Sequence, residues 1–220
     1  GVHTLTTNSK LLNIQTIKTN SSGSQLDLTN QSEDFTIEVG AGTDNVKGGS
    51  GADTIKVNSA GQGNADTLDG GAGTSDILQL SAGSHSFTDN SKLVNVETIK
   101  GHASSATTVV LTGQLETLKV DGGSAGDTIT GGNGDDIITG GGGDDIIAGG
   151  AGDDSLTGNA DNDTFKVDGG TDTITDLATG DIVVVSNSAK AQATGITAFE
   201  ATSDTKIIAG TARSMGVEVK

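Results

Sequence analysis

The sequence predicts an all-β chain wound as a parallel solenoid of short stacked rungs. Three observations predict it. Aspartate recurs every nine residues at positions 127, 136, 145, 154, 163 and 172, and an apolar residue follows two places after each: Ile129, Ile138, Ile147, Leu156, Phe165 and Ile174. Glycine precedes them in fixed phase, as Gly131, Gly132 and Gly134, then Gly140, Gly141 and Gly143, then Gly149, Gly150 and Gly152. Outside this block, short runs of Leu, Ile, Val and Thr sit between Gly, Asn and Ser, and no segment combines helical spacing with helix caps. A fixed short period marks a repeat architecture, in which only neighbouring rungs touch and the core is narrow.

Composition agrees with a thin core. The 220 residues include 35 Gly, four Phe, and no Trp, Tyr, Cys or Pro. So few large side chains would not fill an ordinary globule, but one Ile, Leu or Val per turn fills a solenoid. The 23 Asp and 6 Glu face 12 basic residues, for a net charge of −17. That balance excludes a nucleic-acid partner, which needs a basic footprint. No apolar run approaches a membrane span. The absence of Cys excludes disulfides, zinc–thiolate sites and a Cys nucleophile. Collagen fails for want of a three-residue Gly period and of Pro. An acidic, Gly-rich chain could also be disordered, but disorder has no use for an apolar residue locked to a nine-residue phase.

Five segments follow in order. Residues 1–38 read as a β-rich lead-in. Residues 39–80 form a degenerate repeat block: Gly40-Ala41-Gly42-Thr43-Asp44-Asn45-Val46 and Gly48-Gly49-Ser50-Gly51-Ala52-Asp53-Thr54-Ile55 are in phase, then Asp66 and Asp76 follow after insertions. Residues 81–120 are a second lead-in. Its stretch His85–Lys100 matches His3–Lys18 at ten of sixteen positions, at an offset of 82. Residues 121–181 are the main block, and 182–220 a cap or the start of a third module. Strands are expected at Leu12–Ile17, Leu26–Leu28, Phe35–Ile37, Val109–Leu111, Leu118–Val120, Ile182–Val185, Ile196–Phe199 and Thr205–Ala209. The start Gly1-Val2-His3 has no Met and no basic-then-apolar leader, which reads as a piece of something longer or processed.

The unit G-G-x-G-x-D-x-U-x, with U apolar, resembles the nonapeptide of the RTX calcium-binding β-roll family. Its best copies are GGNGDDIIT, GGGGDDIIA and GGAGDDSLT. The resemblance implies a right-handed parallel β-roll in which six residues turn and three form a strand, with two units per coil. Units n and n+2 then stack about 4.8 Å apart, which brings Asp residues 18 apart together. Crowded carboxylates repel unless a cation joins them. Ca²⁺ suits such a site, because it takes six to eight oxygens. Mg²⁺ wants a tighter octahedron, and zinc wants His or Cys.

The expected carboxylate pairs are Asp127/Asp145, Asp136/Asp154, Asp145/Asp163 and Asp154/Asp172. Asp44/Asp66 and Asp53/Asp76 join them if the insertions bulge out of the coil. Carbonyls of Gly122, Gly131, Gly132, Gly134, Gly140, Gly141, Gly143, Gly149, Gly150 and Gly152 complete the shells, for about four to six Ca²⁺. Asp135, Asp144 and Asp153 read as outward charges that strengthen the local field. Asp176 or Asp181 could serve a terminal site. Between Asp121 and Asp181 lie 14 Asp and a single basic residue, Lys166, so calcium is expected to drive the folding of this stretch.

Other signals carry less. Gly122-Gly123-Ser124-Ala125-Gly126 fits G-x-S-x-G, but Ser124 lies inside a repeat turn with no strand–helix elbow around it. His3, His85 and His102 stand alone and read as structural or surface residues. No enzymatic constellation is present, so a non-enzyme is expected. The resemblance further implies a bacterial protein exported by type I secretion machinery and folded outside the cell, although residues 182–220 show no clear secretion signal. Three contexts compete: a surface-layer or other structural cell-surface protein that self-associates or contacts other surface components, a segment of a large adhesin, and the tail of a secreted enzyme or toxin.

Overall fold

A computed structural model describes residues 2–4, 14–61, 65–186, 190–193, 206–209 and 217–219, with side chains described at 14–61 and 65–186. All described strands pair in parallel and build three sheets. One eleven-stranded sheet runs the length of the molecule through Thr16–Lys18, Thr36–Val39, Thr54–Val57, Ile77–Leu80, Thr98–Lys100, Lys119–Gly123, Ile137–Gly141, Ser155–Asn159, Thr171–Ile174, Lys190–Ala193 and Val217–Val219. The opposite flank is divided. A five-stranded sheet holds Val2–Thr4, Gln25–Asp27, Asn45–Lys47, Thr67–Asp69 and Leu93–Val94. A seven-stranded sheet holds Gly83–Ser86, Thr107–Val110, Thr128–Thr130, Ile146–Ala148, Thr164–Val167, Ile182–Val185 and Lys206–Ala209. No helix occurs among the described residues.

The strands are short because each nonapeptide spends most of its length turning. Their residues are β-branched and aliphatic, and they alternate between half-exposed and buried positions, as in Thr54–Val57 and Ile77–Leu80. The inward-facing members, all buried except the half-buried Ile17, stack in register. In the long sheet Ile17, Ile37, Ile55, Leu78, Ile99, Val120, Ile138, Leu156 and Ile174 form one column. Across the core, Val109, Ile129, Ile147, Phe165 and Val183 form another. Within the main block the register step is 18 residues, so two nonapeptides complete a coil. The position-eight residues from Ile129 to Ile174 are all buried, as the periodicity requires.

The insertions of the first block leave the coil. Asn58, Ser59, Ala60, Gly61 and Ala65 are exposed, while Asn45 and Thr67 on either side still pair in register. At residues 81–97 the flank changes sheets. Gly83–Ser86 begins the seven-stranded sheet and Leu93–Val94 ends the five-stranded one, yet the long sheet passes directly from Ile77–Leu80 to Thr98–Lys100. His85 is buried there, and its Nε2 lies 3.0 Å from the Ser81 carbonyl oxygen.

Most expected strands appear, shifted by one or two residues. Leu118–Val120 becomes Lys119–Gly123, and Ile182–Val185 is unchanged. Ile14 and Gln15 are not in a strand, which starts at Thr16; Leu12, Asn13 and Ile196–Phe199 lie outside the described residues.

Candidate metal centre

Each repeat aspartate closes its turn immediately before, or within, a strand and points back along the axis. Its Oδ1 accepts the backbone N–H of the equivalent residue one coil earlier. Asp127 donates to Asp145 at 2.7 Å, Asp136 to Asp154 at 2.8 Å, Asp145 to Asp163 at 2.9 Å and Asp154 to Asp172 at 3.2 Å. The first block obeys the same rule despite its longer spacings. Asp44 donates to Asp66 at 2.8 Å and Asp53 to Asp76 at 2.7 Å. All six expected pairs are therefore brought together, in one ladder beside the long sheet and another along the divided opposite flank, where Asp44/Asp66 adjoin the five-stranded sheet and Asp127/Asp145/Asp163 the seven-stranded one. All ten aspartates are at most 2 % exposed. Asp181 extends one ladder, taking the Asp163 N–H at 2.9 Å, while the half-buried Asp176 accepts the N–H groups of Gly158 and Asn159.

The pairs are not bare carboxylates facing each other, as stacking alone suggests. One oxygen of each is committed to an amide. The other divides the set. Oδ2 of Asp44, Asp66, Asp76, Asp127, Asp145, Asp154 and Asp172 is buried without a hydrogen bond. Oδ2 of Asp53 and Asp136 instead accepts the Gly49 and Gly132 N–H groups, at 2.8 and 2.9 Å. A buried carboxylate oxygen without a partner is costly and calls for a cation or a proton.

The glycines explain where a cation would sit. A Cβ on Gly122 would lie 2.6 Å from Asp127 Oδ2, and one on Gly131 would lie 2.8 Å from Asp136 Oδ2. At Gly140 and Gly149 a Cβ would strike the carboxylates of Asp145 and Asp154 outright. The same points on Gly122 and Gly131 face the carbonyls of Gly140 and Gly149, one coil on. First-position glycines thus keep open a space bounded by a carboxylate oxygen of one turn and a carbonyl of the next. The other glycines shape the turn. Gly150 has φ +107° and Gly152 has φ +118°, values closed to most side chains. The carbonyls of Gly132 and Gly141 already accept the N–H groups of Ala151 and Ala160, at 3.0 and 3.1 Å.

Electrostatics favours the same conclusion. Burial pushes the carboxyls of Asp145 and Asp172 up to about 7, against hydrogen bonds from the Asp127 and Asp154 amides that act in the opposite sense. Asp76, Asp154 and Asp163 rise to about 6 for the same reason, with neighbouring acids adding to it. Asp53, Asp66, Asp127, Asp136 and Asp181 also rise through burial. The ion pairs Lys18–Glu38, Lys47–Asp69 and Lys119–Asp121 lie outside both ladders. Among the described residues no three His, Cys, Asp or Glu side chains converge at one point, so carbonyl oxygens would have to complete a shell. Carboxylate and carbonyl oxygens without nitrogen or sulfur form a donor set that fits Ca²⁺.

Asp135, Asp144 and Asp153 are exposed, as expected, but they do more than add charge. Their Oδ1 atoms accept the N–H groups of Asp153, Asn162 and Thr171, at 2.9, 2.9 and 2.7 Å. The doubled Asp of the motif is the sequence signal for these outer, exposed contacts. Ser124 Oγ donates to the Ala103 carbonyl at 2.8 Å, a turn contact rather than a nucleophile's pairing.

The family model for the RTX calcium-binding nonapeptide repeat (four copies) matches residues 36–59, 121–156 and 142–174, about a third of the chain. No match was found among curated proteins or solved structures. The matched segments contain Asp44, Asp53 and the six main-block aspartates, and repeats of this family bind calcium. These matched repeats and the parallel β-solenoid into which they are wound fit the RTX β-roll family.

Proposed function

We propose that this β-roll is a calcium-stiffened structural segment of a bacterial cell-surface protein, surface-layer-like, which leaves the cell through type I secretion machinery and folds outside. The observation that carries the reading is the row of buried, unpartnered Asp Oδ2 atoms along both ladders. Without a cation these charges oppose folding. With one between successive turns they become its main support. Low cytosolic calcium would then keep the chain open for export, and millimolar calcium outside would close it. The ligands in this reading are Asp44, Asp66, Asp76, Asp127, Asp145, Asp154, Asp163 and Asp172 with first-position glycine carbonyls, while Asp53 and Asp136 serve once Gly49 and Gly132 release their second oxygens. Self-association into an array, or contact with other surface components, is the assembly step.

A second reading, a stalk segment of a large adhesin, draws support from the uninterrupted eleven-stranded sheet, which joins both repeat blocks into one rod. Circular dichroism in chelator and in millimolar Ca²⁺ tests the shared premise: coil should give way to β-structure. Electron microscopy of the calcium form separates the readings. Ordered sheets support a surface layer, and dispersed rods support a stalk.

A further inference from the structure

The ladder beside the long sheet does not stop with the first repeat block. Asp53 donates its N–H to Asp76 Oδ1 at 2.7 Å, and Asp76 donates its own to Glu97 Oε2, also at 2.7 Å. Glu97 belongs to no nonapeptide and lies outside the segments matched by the family model. It is in the second lead-in, 21 residues after Asp76, directly before the strand Thr98–Lys100 that stacks on Ile77–Leu80. It therefore occupies the place that a repeat aspartate holds elsewhere.

The surroundings of Asp76 repeat the pattern of the other turns. Asp76 is 1 % exposed, and its Oδ2 is buried without a hydrogen bond. A Cβ on Gly70 would lie 2.7 Å from that oxygen and would also strike the carbonyl of Asn95. Asn95 thus stands where a first-position glycine of the next coil would stand. It adopts φ +52°, and its Nδ2 donates to Asp69 Oδ1 at 2.7 Å, which fixes the carbonyl's direction. Asp69 is otherwise satisfied, accepting the Gly71 N–H at 2.9 Å and pairing with Lys47 at 2.9 Å. The turn at 95–97 is shorter than a nonapeptide turn, and the extra methylene of Glu lets its carboxylate reach back.

We propose that Asp76 Oδ2, the Asn95 carbonyl and the Glu97 carboxylate form a further calcium site, at the joint between the first repeat block and the second lead-in. The site rests on the reading that the aspartate ladders hold calcium, and adds a rung that carries no repeat. Calcium there clamps the place where the flank changes sheets, so that the two blocks move as one body.

The test uses the full chain, counting bound Ca²⁺ by equilibrium dialysis and titrating it calorimetrically. Glu97→Gln keeps an oxygen to accept the Asp76 N–H but loses the charge. It should bind one fewer Ca²⁺ per chain, or bind one at least tenfold more weakly, with the β-spectrum in calcium retained. Unchanged stoichiometry and affinity would overturn the site. Because the variant could misfold, the unmodified chain supplies a second readout: the side-chain carboxyl ¹³C signal of Glu97, one of six Glu, should shift on calcium addition. A Glu97 signal that stays still while Asp signals move overturns the site alone. An unmodified chain that binds no calcium overturns the ladder reading and this site with it.

Discussion

Asp153 donates its backbone N–H to Asp135 Oδ1 at 2.9 Å, while the next positions bond in the reverse sense, Asp136 N–H to Asp154 Oδ1 at 2.8 Å. Two adjacent acids in each turn thus clasp the neighbouring turn from both sides. The outer clasp is exposed and the inner one buried. Asp135→Ala removes an acceptor that water can partly replace, so it should cost about 0.5–1.5 kcal/mol, whereas Asp135→Asn should cost less. Denaturant unfolding at saturating calcium checks this, and equal losses in the two variants would refute the clasp.

The elevated carboxyl pKa values set a pH dependence for the metal-free chain. Asp145 and Asp172 titrate near 7, and Asp76, Asp154 and Asp163 near 6, all above the ordinary value of 3.8. Between those values the folded form binds protons that the unfolded form has released. The resulting stability is fully present below about 4 and is lost as pH rises through 6 to 7. Circular dichroism in chelator should therefore show more β-structure at pH 5 than at pH 8. Calcium needs the ionised form, so its apparent affinity should fall over the same interval on acidification, with protons released on binding at pH 6. A β-signal that rises with pH in chelator would contradict this.

The stacked core should be sensitive at one position and indifferent at the next. Ile147 lies in register between Ile129 and Phe165 and is fully buried, whereas its neighbour Ile146 is 37 % exposed. Ile147→Ala should cost about 2–5 kcal/mol by lost burial and cavity formation. Ile146→Ala should stay within about 0.5–1 kcal/mol. Unfolding of the calcium-saturated variants measures both.

Glycines should differ in the same way. Gly149→Ala drives a methyl into the Asp154 carboxylate, while at Gly142 the nearest atom to an added Cβ is Ser124 Cα at 3.5 Å. Gly149→Ala should weaken calcium binding at least tenfold at the affected site. Gly142→Ala should leave it unchanged. Calorimetric titration of the two variants would expose the error if they behaved alike.

The nine-residue period by itself determined the solenoid, the inward column of Ile129, Ile138, Ile147, Leu156, Phe165 and Ile174, and the 18-residue partnership of the aspartates. Those follow from local geometry: a turn of constant length returns every ninth residue to an equivalent place. Tertiary structure decided what the period could not encode. The pairings of Asp44 with Asp66 and of Asp53 with Asp76 survive because extra residues loop into solvent while the strand register is held by Val46 on Leu68 in one sheet and Ile55 on Leu78 in the other. The commitment of one Asp oxygen to an amide depends on the spacing between coils. Glu97 joins the ladder although no motif contains it, because stacking places it over Asp76 and its side chain is long enough to reach. A repeat announces itself through phase, whereas a contact between unlike rungs is written only in the height of one coil above another.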